Sequence, residues 1–192
     1  MIKIGLTGSI GMGKSAVAAM FIRQGVAVFD ADAEVHRLQS AGGALVAAIE
    51  ARFPGSTDGH GVNRAKLGPM VLGKLHELRA LESIIHPAVA RARHVFLQRY
   101  RSKPFIVLDI PLLFEKRGWK AVDMIVVVSA PAWVQRKRVL ARRGMTPPKF
   151  TAIKRLQMPD ALKRARADVV INTALTKVET ARHVRGLITC LR

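Results

Sequence analysis

The run Gly8-Ser9-Ile10-Gly11-Met12-Gly13-Lys14-Ser15 carries the clearest chemistry in the chain. Glycines at these spacings let backbone N–H groups turn inward and cradle phosphate oxygens, Lys14 reaches the β and γ phosphates, and the Ser15 hydroxyl can hold Mg²⁺. An apolar segment, Ile2 to Leu6, precedes the run, and a helical pattern from Lys14 to about Gln24 follows it. That helix would aim its positive end at the same phosphates. A Gly-rich turn without a ligand is the bland alternative, and the strand-loop-helix context argues against it. Nucleotide binding is therefore the working premise.

Carboxylates and cations elsewhere suit the same chemistry. Asp30 and Asp32 follow Val26-Ala27-Val28-Phe29, so they stand at the carboxyl end of an expected strand, where parallel sheets bind ligands. One of them can act on substrate while the other caps the next helix, and both can equally be caps. Asp109 ends Phe105-Ile106-Val107-Leu108, a position suited to a water-mediated Mg²⁺ contact or to an ordinary strand end. Pro111, Leu112 and Leu113 come next, either as an apolar wall for a substituent of the substrate or as packing. Arg136, Lys137, Arg138, Arg142 and Arg143 crowd one expected helix. Arg138 and Arg142, one turn apart, suit a clamp on a transferring phosphate, and the other three suit a solvated face. His86-Pro87 would separate two helices, with Pro87 opening the second; His86 is a substrate contact or a local hydrogen-bonding residue.

These residues need a frame. Val- and Ile-rich segments predict strands over 2–6, 26–29, 105–110, 124–128 and 169–171, separated by helical patterns over 44–52, 75–85, 88–99, 132–143 and 177–191. Alternation of this kind predicts an α/β fold with a five-stranded parallel sheet. The long interval between the second and third strands reads as an inserted, almost wholly helical subdomain at about 60–104. A lid is expected at about 138–160, hinged at Arg143-Gly144-Met145-Thr146-Pro147-Pro148. The whole chain, 1–192, is expected to be a single domain.

The composition, 49% hydrophobic over 192 residues, fits one compact soluble domain and argues against disorder. No apolar run approaches a membrane span, and the lone Cys190 excludes an intrachain disulfide and a cysteine metal cage. A cytoplasmic location is expected, without a membrane partner. The formal charge of +19 arises wholly beyond residue 60, because the first 60 residues balance five basic against five acidic side chains. An anionic partner follows from it. Specific nucleic-acid binding is not expected, since aromatic residues make up only 5% of the chain and no recognition motif is present.

Taken in order, Leu6 to Ser15, Asp30-Ala31-Asp32, His86-Pro87, Pro111-Leu112-Leu113-Phe114-Glu115, Gln157-Met158-Pro159 and Ala167-Asp168 resemble the dephospho-CoA kinase family almost end to end. The phosphate loop alone is shared by many kinases, and the ordered combination is much more specific. The resemblance implies a P-loop kinase fold with a helical coenzyme-binding insertion and a lid. It implies transfer of the ATP γ-phosphoryl group to the ribose 3′-hydroxyl of dephospho-CoA. In that reading Gly8, Gly11, Met12, Gly13, Lys14, Ser15 and Ala16 bind ATP, and Ser15 holds Mg²⁺. Asp32 orients or deprotonates the acceptor hydroxyl, Lys14, Arg138 and Arg142 serve catalysis, and Asp32, His86, Pro111, Leu112 and Leu113 contact the acceptor. Asn172-Thr173-Ala174 departs from a family segment that commonly holds Asp and then Gly near the adenine, so either backbone groups contact the base there or the base preference is relaxed. A nucleoside or nucleotide kinase is the alternative, and it explains the helical insertion less well.

Overall fold

The computed structural model describes all 192 residues, which divide into two compact units, 1–29 with 100–192, and 30–99. In the first unit, strand β1 (Ile2–Thr7) leads through the glycine-rich loop into helix α1 (Lys14–Arg23) and then strand β2 (Val28–Asp30). The second unit runs through α2 (Ala31–Gln39), α3 (Val46–Arg52), the two-residue strands β3 (Thr57–Asp58) and β4 (Gly61–Val62), α4 (Arg64–Val71) and α5 (Leu75–Arg99). The chain returns to the first unit with β5 (Phe105–Asp109), β6 (Met124–Ser129), α6 (Ala132–Leu140), α7 (Pro147–Arg155), α8 (Asp160–Ala165), β7 (Val169–Asn172) and α9 (Lys177–Cys190).

The five expected strands form one sheet in the order β2-β5-β1-β6-β7, and the pairings of β1 with β5, β1 with β6 and β6 with β7 are parallel. Period-two alternation sends Ile4, Leu6, Val107, Val126 and Val128 into one core, where Val17, Met20 and Phe21 of α1 and Val184 and Ile188 of α9 cover them. Ile106 and Leu108 face the other way and are also fully shielded. Burial on both faces explains why these strands read as continuous apolar runs. β1 sits at the centre of the sheet, so its carboxyl end delivers the glycine-rich loop between β5 and β6.

The 30–99 unit has its own core, built from Leu38, Leu45, Ile49, Phe53, Leu67, Val71, Leu81 and Ala88. Asp58 to Gly61 closes a small antiparallel hairpin in which Thr57 pairs with Val62. One expectation changes here. The break expected at His86-Pro87 is absent, and α5 runs unbroken for 25 residues. Pro87 removes a helix N–H and crowds the carbonyl four residues back, yet Pro87 and Ser83 both lie on the exposed side, where water can satisfy the freed carbonyl. Burial of Leu81 and Ala88 on the opposite side carries the helix through. His86 consequently stands exposed in mid-helix.

A second difference concerns the arginine helix. α6 stops at Leu140 rather than near residue 143, and Arg142 lies in the following turn, where its N–H meets the Val139 carbonyl at 3.1 Å. Gly144, at φ +75°, reverses the chain, and Thr146 caps α7 with Pro147 in its first turn. Arg138 and Arg142 therefore do not share a helix face. No helix is long and apolar enough to cross a membrane.

Candidate active site

The loop from Gly8 to Gly13 is shaped by its glycines. Gly11 has φ +78°, and a Cβ there would lie 2.4 Å from Val139 Cγ2, so both backbone conformation and space demand glycine. Gly13, at φ +90°, is the N-cap of α1 and offers no side-chain cap, which leaves the Lys14 and Ser15 N–H groups of the first turn uncapped. The helix dipole adds to this concentration of donors, and together they make an anion site of the phosphate-binding kind.

Lys14 is the first residue of α1, and its ammonium pairs with the carboxylate of Asp109 at the end of the neighbouring strand β5. Asp109 is almost wholly buried (side chain 2% exposed), while the Lys14 side chain remains 16% exposed toward the loop. The pair holds the Lys14 amine at the mouth of the glycine loop. The Ser15 hydroxyl is exposed and makes no hydrogen bond within the protein. Ser15 Oγ and the Asp109 carboxylate are hard oxygen donors suited to Mg²⁺, which takes few protein ligands and completes its shell with water and substrate phosphates. No group of three or more acidic, His or Cys side chains forms a cage for any other metal.

Thr173, just past β7, is a functional candidate that the sequence flagged only as a departure from the family pattern. Its hydroxyl donates to the Met12 carbonyl at 2.6 Å and accepts from Arg138 Nη1 at 3.0 Å, while its own carbonyl accepts from Arg138 Nη2 at 2.6 Å. Arg138 is thus locked against the base of the phosphate loop. Arg142 is exposed and has no such anchor. Met12 is buried, and its sulfur accepts from the Ala130 N–H at 3.2 Å. The neighbouring Ile10 is held from two sides: its N–H donates to Gln157 Oε1 at 3.0 Å, and its carbonyl accepts from Gln135 Nε2 at 2.8 Å.

The apolar segment after β5 splits in two. Pro111 and Leu112 are half-buried, but Leu113 is fully buried and lies within 3.4 Å of positions a Cβ on Gly5 or Gly118 would occupy. Leu113 therefore packs under the sheet and is unavailable to a substrate. Glu115, at the end of the segment, accepts the Met158 N–H at 2.7 Å and forms an ion pair with Lys163 at 2.9 Å. Burial works to raise its pKa, but the Lys163 ammonium and the Met158 N–H outweigh it and hold the carboxyl below its ordinary value. Asp168 accepts the Ile125 N–H at 2.7 Å and pins the start of β7 to β6, which makes it a structural residue.

In the 30–99 unit the two aspartates separate cleanly in role. Asp30 caps α2 by accepting the Ala33 N–H at 2.9 Å, whereas Asp32, in the first turn, is exposed and without a hydrogen-bond partner. Asp32 lines an open cavity of about 710 Å³ with His36, Arg37 and Arg64. Three cation-capable groups and a free carboxylate in one concave surface suit a polar, phosphate-bearing molecule. Arg37 is already engaged by Glu34, whose carboxyl its guanidinium holds below the ordinary range.

Comparison with known proteins agrees with this geometry. A family model described as dephospho-CoA kinase matches residues 2–178. The chain belongs to the dephospho-CoA kinase family. A dephospho-CoA kinase of Novosphingobium aromaticivorans is 58% identical over 189 residues, covering 98% of this chain and 94% of the relative. A crystal structure of TT1252 from Thermus thermophilus superposes with a TM-score of 0.85 at 34% identity, over 100% of this chain and 98% of that one. Dephospho-CoA kinase from Campylobacter jejuni, at 18% identity and a TM-score of 0.70 over 98% of this chain and 96% of that one, shares the fold. Membership of this kinase family accounts for the phosphate loop, the parallel sheet and the insertion after β2 together.

Proposed function

We propose that this member of the dephospho-CoA kinase family transfers the γ-phosphoryl group of ATP to the ribose 3′-hydroxyl of dephospho-CoA, giving CoA and ADP in the cytoplasm. The observation that carries the proposal is the glycine loop with the Lys14 amine poised at its mouth by Asp109. Gly8, Gly11, Met12, Gly13, Lys14, Ser15 and Ala16 form the cradle that receives the ATP phosphates. Mg²⁺, bound through Ser15, supplies neutralisation of phosphate charge. Lys14 and Arg138 bear on the charge that develops on the transferring group, and their prior fixation by Asp109 and Thr173 limits the reorganisation needed.

Asp32 accepts the proton of the 3′-hydroxyl as its oxygen bonds to the γ phosphorus and the bond to the β–γ bridging oxygen breaks. Its freedom from hydrogen-bond partners supports this role, because a capping carboxylate such as Asp30 is already committed. The helical segment at about 60–104 takes the acceptor, which Asp32, His86, Pro111 and Leu112 contact. Residues 138–160 form the lid, and Arg142 reaches ATP from it on closure. Leu113 supports the wall from beneath.

Incubation with Mg-ATP and dephospho-CoA, followed by mass measurement of the acceptor, tests the reading. A product heavier by one phosphoryl group at the 3′ position is expected. ADP release without that product, or phosphorylation of nucleosides or nucleoside monophosphates instead, would overturn it.

A further inference from the structure

A lysine is rarely found without any contact with solvent, and Lys163 of α8 is 0% exposed. Its Nζ lies 2.9 Å from Glu115 Oε1 as an ion pair, and the same oxygen accepts the Met158 N–H. Asp160, three residues earlier and so on the same face of α8, accepts the Ser129 hydroxyl at 2.6 Å. Glu115 Oε2, Asp160 Oδ1 and Lys163 Nζ are all buried without a hydrogen-bond partner, so the lysine meets Glu115 through charge. A cation and two carboxylates are therefore concentrated where α8, the segment after β5 and the end of β6 meet.

Lys163 has no exposed surface to offer a ligand, and a buried ion pair is weak evidence for stability as such. What the cluster does hold is the turn 157–159. Met158 is tied by its N–H to Glu115, Asp160 and Lys163 fix the helix that follows, and Gln157, between them and α7, presents Oε1 to the Ile10 N–H inside the phosphate loop. The links run through one contiguous chain of contacts: Lys163, Glu115, Met158, Gln157, Ile10.

We propose that Lys163 is a positioning residue for the phosphate loop: by neutralising Glu115 it fixes the 157–159 turn, and Gln157 then holds the loop in its nucleotide-binding conformation. The proposal rests on the reading of residues 8–15 as the ATP site. Glu115 and Gln157, which belong to motifs 42 residues apart, become two ends of one strut between that loop and the base of the lid segment.

The experiment is a double-mutant cycle on the full chain, with the Kd for the non-hydrolysable analogue β,γ-imido-ATP measured by calorimetry. K163M and Q157L are each expected to weaken binding about tenfold, the size of one lost hydrogen bond in a polar network. The double variant should weaken it no further, because both act along one path. R164M, at an exposed neighbour, serves as the control and should bind as the parent does. A folded K163M within twofold of the parent, or losses that multiply in the double variant, overturns the proposal. If K163M fails to fold, E115Q replaces it in the cycle, keeping an oxygen for the Met158 N–H while removing the charge, and the same criteria decide. A parent protein that binds no nucleotide would overturn both this inference and the function above. A parent that binds and phosphorylates, with additive variants, would overturn this inference alone.

Discussion

Replacing Thr173 by Val keeps the shape of the side chain and removes only the hydroxyl that joins Arg138 to the phosphate loop. That hydroxyl is 2.6 Å from the Met12 carbonyl and 3.0 Å from Arg138 Nη1, in a residue only 7% exposed. Loss of the bond to Met12 removes about 1 kcal/mol and strands a carbonyl whose residue is 2% exposed, so T173V should cost about 2 kcal/mol in all. For a chain of this length that lowers Tm by about 4–8 °C. Calorimetric melting checks it, with T173S as the partner variant: serine keeps the hydroxyl, gives up one methyl group, and should lose about half as much. Arg138 retains the Thr173 carbonyl at 2.6 Å, so T173V should bind ATP and turn over more slowly rather than lose activity outright. A Tm within about 1 °C of the parent, or a T173S variant as damaged as T173V, would refute the reasoning.

Further outcomes follow from the same geometry. D32N should lower kcat by about a hundredfold or more while leaving ATP affinity unchanged, because the carboxylate acts on the acceptor; equal turnover in steady-state assays would remove Asp32 from the mechanism. G11A places a Cβ 2.4 Å from Val139 Cγ2 at φ +78°, and should lower stability by about 1–3 kcal/mol and weaken ATP binding, read by melting and calorimetry. Glu115 titrates below its ordinary value of 4.5 in the folded chain. Its contribution to stability is therefore complete above about pH 4.5 and falls away as the pH drops through the lower, folded value. Denaturation curves across that acid range should show a smaller loss for E115Q than for the parent.

The sequence made the phosphate loop and the sheet legible because both are local patterns. Gly11, Gly13 and Lys14 act through spacing along one strand-loop-helix, and Ile4 and Leu6 declare their face by alternation alone. Pro87 misled because the rule for proline is also local, whereas α5 is carried past it by Leu81 and Ala88 packing into a core assembled from distant segments. Lys163 was illegible for the same reason. A lysine reads as solvent-exposed until Glu115, 48 positions away, is known to meet it. By residue type Asp30 and Asp32 could both be caps; the resemblance favoured Asp32 for the acceptor, and the bond from the Ala33 N–H commits Asp30 as the cap. Leu113 belonged to a motif in which Pro111, Leu112 and Glu115 remain partly exposed, and its burial depends on Gly5 and Gly118 leaving room.

The pairing of β1 with β5 joins residues 2–6 to residues 105–109, with the entire 30–99 unit made in between. On the ribosome β1 and its glycine loop are made before β5 and β6, so the strand lacks both neighbours while the whole 30–99 unit is synthesised. At about 5–20 residues per second, that leaves β1 unpaired on both edges for roughly 5–20 s. The contiguous 30–99 segment has no such wait, since all partners of its core lie within it. The glycine loop is thus made before the 30–99 unit and flanked by its sheet partners only after it.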